Sequence, residues 1–224
     1  MESYKIPRHK VFISYHHDND QFYANELMNE FVEFNPYKSF TIQSIFEDCS
    51  IHDGDIDDSL PPESIRKKIR DEFIKDASVL IVLCGSETRK RKYVDWEIHA
   101  AMFDTDNNPK LGILVITLPT ISQWVFAPED TDKPLVSRGN VCTWYSLASR
   151  QDMEKYYPYL PSRIVDNFEA SITNNDIIPI AVVDWETIKN DVAKLKQLID
   201  IAYNRSKDST KHYNHSAPLR TNNS

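Results

Sequence analysis

Short apolar runs alternate with amphipathic stripes along the first half of the chain. Four segments have the continuous or alternating apolar pattern of strands: 10–15, 40–46, 77–84 and 111–118. Three helices are predicted between them, the first from an N-cap at Asp20 to Pro36, the second over Pro61–Phe73 and the third over Val94–Phe103. This order predicts an α/β fold, a flavodoxin-like doubly wound parallel sheet with right-handed crossovers.

The second half has a weaker pattern. Residues 141–145 and 177–183 are predicted as strands, the latter as an edge or approach segment because it contains Pro179. One short helix is expected within 146–176, and a clear apolar stripe predicts a last helix over 188–202. We therefore expect one domain, 1–205, divided into a core (10–118), an elaboration (119–176) and a final strand and helix (177–205). The polar tail, 206–224, is predicted to be disordered.

Composition narrows the function classes. With 224 residues, 41% of them hydrophobic, the chain can bury a core. Its 26 basic against 34 acidic residues give a net charge of -8, which argues against nucleic acid as a partner. Only 4 glycines occur, and neither a G-x-G-x-x-G fingerprint nor a Walker A loop is present.

The termini and cysteines indicate the cellular context. The N-terminus lacks the apolar region of a signal peptide, and no apolar run approaches the roughly 20 residues that cross a bilayer. The 3 cysteines lack C-x-x-C spacing and the histidines form no metal-binding motif. A cytoplasmic protein with free thiols, no metal and no membrane partner is therefore expected.

Ligands of open α/β sheets bind beyond the carboxyl ends of the strands, so residues just after each strand are the candidates for chemistry. They are Ser14, Tyr15, His16, Glu47, Asp48, Cys84, Gly85, Ser86 and the segment Tyr93–Glu97. Glu97 lies near the start of a helix, beside Tyr93 and Trp96. A carboxylate there suits stabilisation of an oxocarbenium-like state, or it complements the helix dipole. Spacing alone favours the dipole interpretation.

A resemblance to a known family changes this balance. Val11–Tyr15, Glu47-Asp48 with 54–59, Ile65–Ile69 and Ala77–Ser86 resemble a TIR domain in order and spacing. The segment Arg91–Ile98 is similar to the TIR helix in which an aromatic residue precedes the catalytic Glu by four positions. Ser14–His16, Tyr93–Ile98 and Val183–Trp185 resemble the TIR-like proteins of bacterial Thoeris anti-phage systems. The resemblance is strong over 10–118, faint over 119–176 and weak over 180–203.

The resemblance implies an enzyme that cleaves the nicotinamide–ribose bond of NAD, consumed as a substrate with no cofactor. It implies Glu97 as the catalytic residue, and Ser14, Tyr15, His16, Asp48, Ser86, Tyr93 and Trp96 as substrate-binding residues. In Thoeris-like members the ADP-ribose part becomes a signalling molecule, often cyclised, which activates a separate effector when phage infection is sensed. The expected partners are thus NAD, that effector and a phage-derived trigger. Whether the product is cyclic, linear or conjugated, and whether the chain forms a homo-oligomer, stay open.

Three other functions compete with this interpretation. A non-catalytic TIR adaptor would act by protein assembly, and the Glu with an aromatic four positions earlier disfavours it. A response-regulator receiver needs an Asp at the end of the third strand, where this chain has Leu83–Ser86. A nucleoside-modifying transferase of related fold would also use a Glu against an anomeric carbon, and only a substrate panel separates it from NAD cleavage.

Overall fold

The computed structural model describes residues 9–31, 46–47, 55–57, 59–105, 108–136, 147–189 and 191–223. Within these residues five strands form one parallel sheet, in the order β2-β1-β3-β4-β5. The strands are β1 (Val11–Ser14), β2 (Phe46–Glu47), β3 (Val79–Cys84), β4 (Gly112–Thr117) and β5 (Ala181–Asp184). This order is that of a flavodoxin-like doubly wound sheet and confirms the predicted fold class.

Helices connect the strands and cover both faces of the sheet. They are α1 (His17–Phe31), α2 (Pro62–Lys68), α3 (Lys92–Met102), α4 (Lys133–Val136), α5 (Arg150–Tyr156), α6 (Ser162–Thr173), α7 (Trp185–Ile188) and α8 (Val192–Ser206). A π-helical turn, Ile69–Phe73, extends α2, and 3-10 turns at Thr88–Lys90 and Asp130–Asp132 precede α3 and α4. Proline begins α2, as predicted, because the first helical position needs no N–H donor.

The strands β1, β3 and β4 are buried along their whole length and direct alternate side chains to opposite faces. One core layer contains Phe12 and Leu80 together with the buried faces of α2, α3 and α6. The other contains Ile13 and Ile81 with α1, α7 and α8. The continuous apolar runs in the sequence arise because helices cover both faces.

Several element predictions differ from the structure. Helix α1 begins at His17, three residues before the predicted N-cap Asp20, whose backbone N–H already donates to the His16 carbonyl at 2.8 Å. The region 146–176 contains two helices, α5 and α6, where one was expected. Of the strand predicted at 40–46 the structure describes only Phe46, in β2, and the strand predicted at 141–145 lies outside the described residues.

The C-terminal segment is ordered, whereas the sequence predicts disorder over 206–224. The Tyr213 side chain is 1% exposed, and its hydroxyl donates to the Leu111 carbonyl at 3.0 Å. The backbone N–H of Ile178 donates to the His212 carbonyl at 2.8 Å. Residues 207–223, called the tail below, therefore complete the fold although they contain few apolar residues.

Candidate active site

The end of β1 meets helix α3 through a buried polar contact. The Ser14 hydroxyl donates a hydrogen bond to Oε2 of Glu97, and both residues are almost fully buried. Ser14 follows the three apolar residues of β1 and directs its side chain to the face that α3 covers, because side chains alternate along a strand. The structure thus brings together two residues 83 positions apart that the sequence assigned to one site.

The two residues after Ser14 point to different surroundings. Tyr15 packs in the core layer of α1 and α8, and its hydroxyl donates to Oε1 of Gln21 at 2.9 Å. His16 is 7% exposed, and burial lowers its pKa, with a further contribution from the positive charge of Arg91. Of the two, His16 is the one that faces the loop after β3, while the structure places Tyr15 in the opposite layer from α3.

A compact cluster lies between the ends of β1 and β3. The backbone N–H of Gly85 donates to the Thr88 hydroxyl at 2.8 Å, and that hydroxyl lies 3.3 Å from Oδ2 of Asp20. A Cβ atom on Gly85 would lie 2.5 Å from Oδ1 of Asp20, so a larger residue here would require the Asp20 carboxylate to move. Burial raises the pKa of Asp20 to about 6, against hydrogen bonds that lower it. The sequence had assigned Asp20 to helix capping and missed this buried position.

The two aromatic candidates on α3 pack against each other. Tyr93 and Trp96 form an edge-to-face pair with ring centroids 5.2 Å apart. The indole N–H of Trp96 donates to the Arg220 carbonyl at 2.7 Å, and this residue is 2% exposed. The structure therefore gives Trp96 a packing partner in the tail. Ser86 is half-buried beside Gly85, and Asp48 lies outside the described residues.

The matched sequence family coincides with this part of the fold. The family model of the Thoeris protein ThsB, TIR-like domain, matches residues 12–123, half of the chain. The chain belongs to the ThsB TIR-like family. The matched span covers most of β1 and all of β2 to β4, and it includes Ser14, Asp20, Gly85 and Glu97. No curated protein matches the chain.

In this ThsB-family chain, residues beyond the matched span pack against α3. The Arg163 guanidinium, on α6, forms a two-point ion pair with Asp95 of α3 and donates to the Ala217 and Pro218 carbonyls, each at 3.0 Å. The tail then continues along α3, where the side-chain oxygen of Asn223 accepts from the Lys92 N–H at 2.9 Å.

These tail contacts cap a helix that has no cap of its own. Arg91, at the N-cap position of α3, makes no side-chain capping hydrogen bond. The side-chain oxygen of Asn223 accepts from one of the free N–H groups of the first turn. An Asn at the N-cap position commonly does this for the N–H two or three residues later. Sequence reasoning missed this support because the few apolar residues of the tail, such as Tyr213 and Leu219, are isolated among polar ones and form no periodic pattern.

The elaboration also contains a separate cavity of about 320 Å³. Its apolar wall includes Phe126, Met153, Ile164 and Phe168, and the rim includes Lys211. None of the residues predicted for the active site lines it. The cavity lies beside the segment that leads into β5, away from the contact between Ser14 and Glu97.

Two further features of the described part of the chain concern metal ions and the Cys84 thiol. No group of three or more His, Cys, Asp or Glu side chains among the described residues could hold a metal ion. Cys84 is buried, its thiol lies 3.2 Å from the Tyr159 carbonyl, and burial raises its pKa, which makes it an unreactive thiol.

No helix in the described ranges has the length and apolar character needed to span a bilayer.

Proposed function

We propose that this chain is an NAD-cleaving enzyme of Thoeris defence. It would release nicotinamide and convert the ADP-ribose part into a signalling molecule, in cyclic form, that activates a separate effector. NAD would be a consumed substrate and no resident cofactor would be needed. The observation that carries the proposal is the buried contact between Ser14 and Glu97 at the carboxyl ends of the strands, in a chain of the ThsB TIR-like family.

Glu97 would act on the ribose next to nicotinamide. Breaking the bond between the anomeric carbon and the pyridinium nitrogen leaves neutral nicotinamide and an oxocarbenium-like ribose. A fixed carboxylate close to this developing cation stabilises it more than it stabilises the substrate. Because Glu97 lies in a water-poor site, its charge acts more strongly there than it would in water.

Ser14 would orient the catalytic carboxylate. Its hydroxyl donates to Oε2 of Glu97 and so fixes the orientation of the carboxylate toward the ends of the strands. The hydroxyl belongs to a rigid strand paired on both sides, so its direction is fixed before substrate binds. Such preorganisation is the usual origin of electrostatic catalysis.

The test compares the purified chain with its Glu97→Gln variant. NAD and a lysate of phage-infected cells are added, and nicotinamide and the sugar product are followed by mass spectrometry. We expect Glu97→Gln to lower kcat by about 100- to 1,000-fold, the usual effect of removing one electrostatic group. We expect Ser14→Ala to lower it by about 10-fold, the loss of one hydrogen bond to a charged group.

Glu186→Gln is the matched control, since it removes an exposed carboxylate paired with Lys189 and should leave the rate unchanged. Circular dichroism would show that every variant is folded. Full activity of a folded Glu97→Gln variant would contradict the catalytic assignment. No product from the unmodified chain, with or without lysate, would instead support the adaptor function.

A further inference from the structure

Four basic residues in a row precede the aromatic pair of α3, and three of them have contacts. Arg89 donates to the Pro158 carbonyl at 2.9 Å and to Glu154 at 3.2 Å. The Lys90 ammonium pairs with Glu87 at 3.0 Å. The Lys92 ammonium lies 4.8 Å from the centroid of the Tyr93 ring.

Arg91 is the exception within this run. Its buried Nε–H has no hydrogen-bond partner among the described residues. A buried donor left unpaired is costly, so native structures keep few of them.

His16, on the facing loop, also has buried nitrogens without a hydrogen-bond partner. Neither ring nitrogen of its buried imidazole has a hydrogen-bond partner within the described ranges. The nearest anion, the exposed Asp18 carboxylate, lies 3.6 Å from Nε2, beyond hydrogen-bond distance. Short contacts connect the two residues beyond the ends of β1 and β3. The Asp20 N–H donates to the His16 carbonyl at 2.8 Å, the Arg91 N–H donates to the Thr88 carbonyl at 3.1 Å, and the Thr88 hydroxyl lies 3.3 Å from the Asp20 carboxylate.

We propose that Arg91 and His16 form a phosphate subsite, which takes the diphosphate of the dinucleotide whose glycosidic bond Glu97 cleaves. This inference rests on the proposed function. The substrate carries two negative charges on its diphosphate, and the chain has no glycine-rich loop to bind them with backbone N–H groups. An arginine presents a planar set of N–H donors that matches two phosphate oxygens, and a neutral imidazole adds one donor.

The position of Arg91 fits this role. It lies six residues before Glu97 and directly precedes the first turn of α3. Its backbone is fixed by hydrogen bonds on both sides, to the Thr88 carbonyl and from the Asp95 N–H. Two further acidic groups, Asp20 and Glu87, face the cluster and interact electrostatically with Arg91. The Asp20 carboxylate accepts from the Thr88 hydroxyl, and the Glu87 carboxylate pairs with Lys90.

The test uses two substrates that share one glycosidic bond. Nicotinamide riboside has the bond without the diphosphate, whereas NAD has both. We expect Arg91→Gln to raise the KM for NAD by about 10-fold or more, the loss of charged hydrogen bonds, with kcat within about 3-fold. The kinetic constants for nicotinamide riboside should stay unchanged. Arg91→Lys, which keeps the charge without the fork of donors, should give an intermediate KM for NAD.

Lys90→Gln is the control, because it removes an adjacent charge whose ion pair is exposed and should change neither substrate's constants. Equal changes for both substrates in Arg91→Gln, or no change for NAD, would overturn the subsite. Calorimetric binding of ADP-ribose to the Glu97→Gln variant separates this outcome from failure of the proposed function. If NAD is not cleaved at all, the subsite is still supported when Arg91→Gln weakens the binding of ADP-ribose by about 10-fold. It is overturned when ADP-ribose does not bind, or when Arg91→Gln leaves its affinity unchanged.

Discussion

The buried Asp20 carboxylate should make the folded state less stable at neutral pH than in mild acid. The folded protein holds the Asp20 proton until about pH 6, whereas an unfolded chain loses it near the ordinary value of 3.8. Between these values the folded state binds more protons than the unfolded state. Stability therefore falls as pH rises through this range, by linkage.

The magnitude follows from the two pKa values. Each pH unit between them is worth about 1.4 kcal/mol, so the full penalty approaches about 3 kcal/mol above pH 7. Asparagine has the shape of the protonated acid and cannot ionise. We expect Asp20→Asn to be more stable than the unmodified chain by about 3 kcal/mol at pH 7.5 and by under about 1 kcal/mol at pH 4.

Urea unfolding at a series of pH values from 4 to 8, followed by circular dichroism, measures this difference. The slope m should be the same for both proteins, since the surface exposed on unfolding does not change. Asp18→Asn, in the same helical turn but exposed, should show no such pH-dependent gain. A difference that is constant from pH 4 to 8, or that shows Asp20→Asn less stable at neutral pH, would refute the reasoning.

Three further predictions concern packing and the tail. Gly112→Ala should lower the free energy of unfolding by about 1–3 kcal/mol or more in urea titrations, because its Cβ would lie 2.5 Å from the Ala202 backbone of α8. Tyr213→Phe should cost about 1–2 kcal/mol in the same assay, since the Leu111 carbonyl loses its buried donor. Arg163→Met should lower the free energy of unfolding by about 3–5 kcal/mol, because it leaves the Asp95 carboxylate without its cationic partner. It should also speed proteolysis of the tail, because the Ala217 carbonyl loses its donor. An unchanged cleavage rate in Arg163→Met would show that this ion pair does not hold the tail.

The sequence was informative where apolar pattern decides the structure. Strands β3 and β4 are continuous apolar runs, and the structure buries every residue of both. Their alternation with helices was enough for the doubly wound sheet, because a covered parallel sheet allows few other connections. The resemblance to a TIR domain placed Ser14 and Glu97 in one site, but neither it nor the residue pattern predicted the hydrogen bond between them.

Contacts between polar residues far apart in sequence could not be predicted from the apolar pattern. Asp20 is a residue type typical of helix N-caps, yet in the structure its side chain is buried against Gly85 and Thr88. The tail has the composition of a disordered segment, yet its backbone carbonyls are satisfied by Arg163 and Trp96. Such interactions join residues far apart in sequence, and neither periodicity nor composition contains information about them.

The contact between the tail and α3 has a consequence for the order in which the protein matures. Lys92 receives its cap from a residue 131 positions later, and the Trp96 indole binds a carbonyl 124 positions later. A ribosome synthesises α3 long before it synthesises these partners. The sheet can form while the chain is still growing, but the helix that holds Glu97 acquires its outer support only afterwards. The outer support of α3 is therefore among the last contacts of the fold to become available during synthesis.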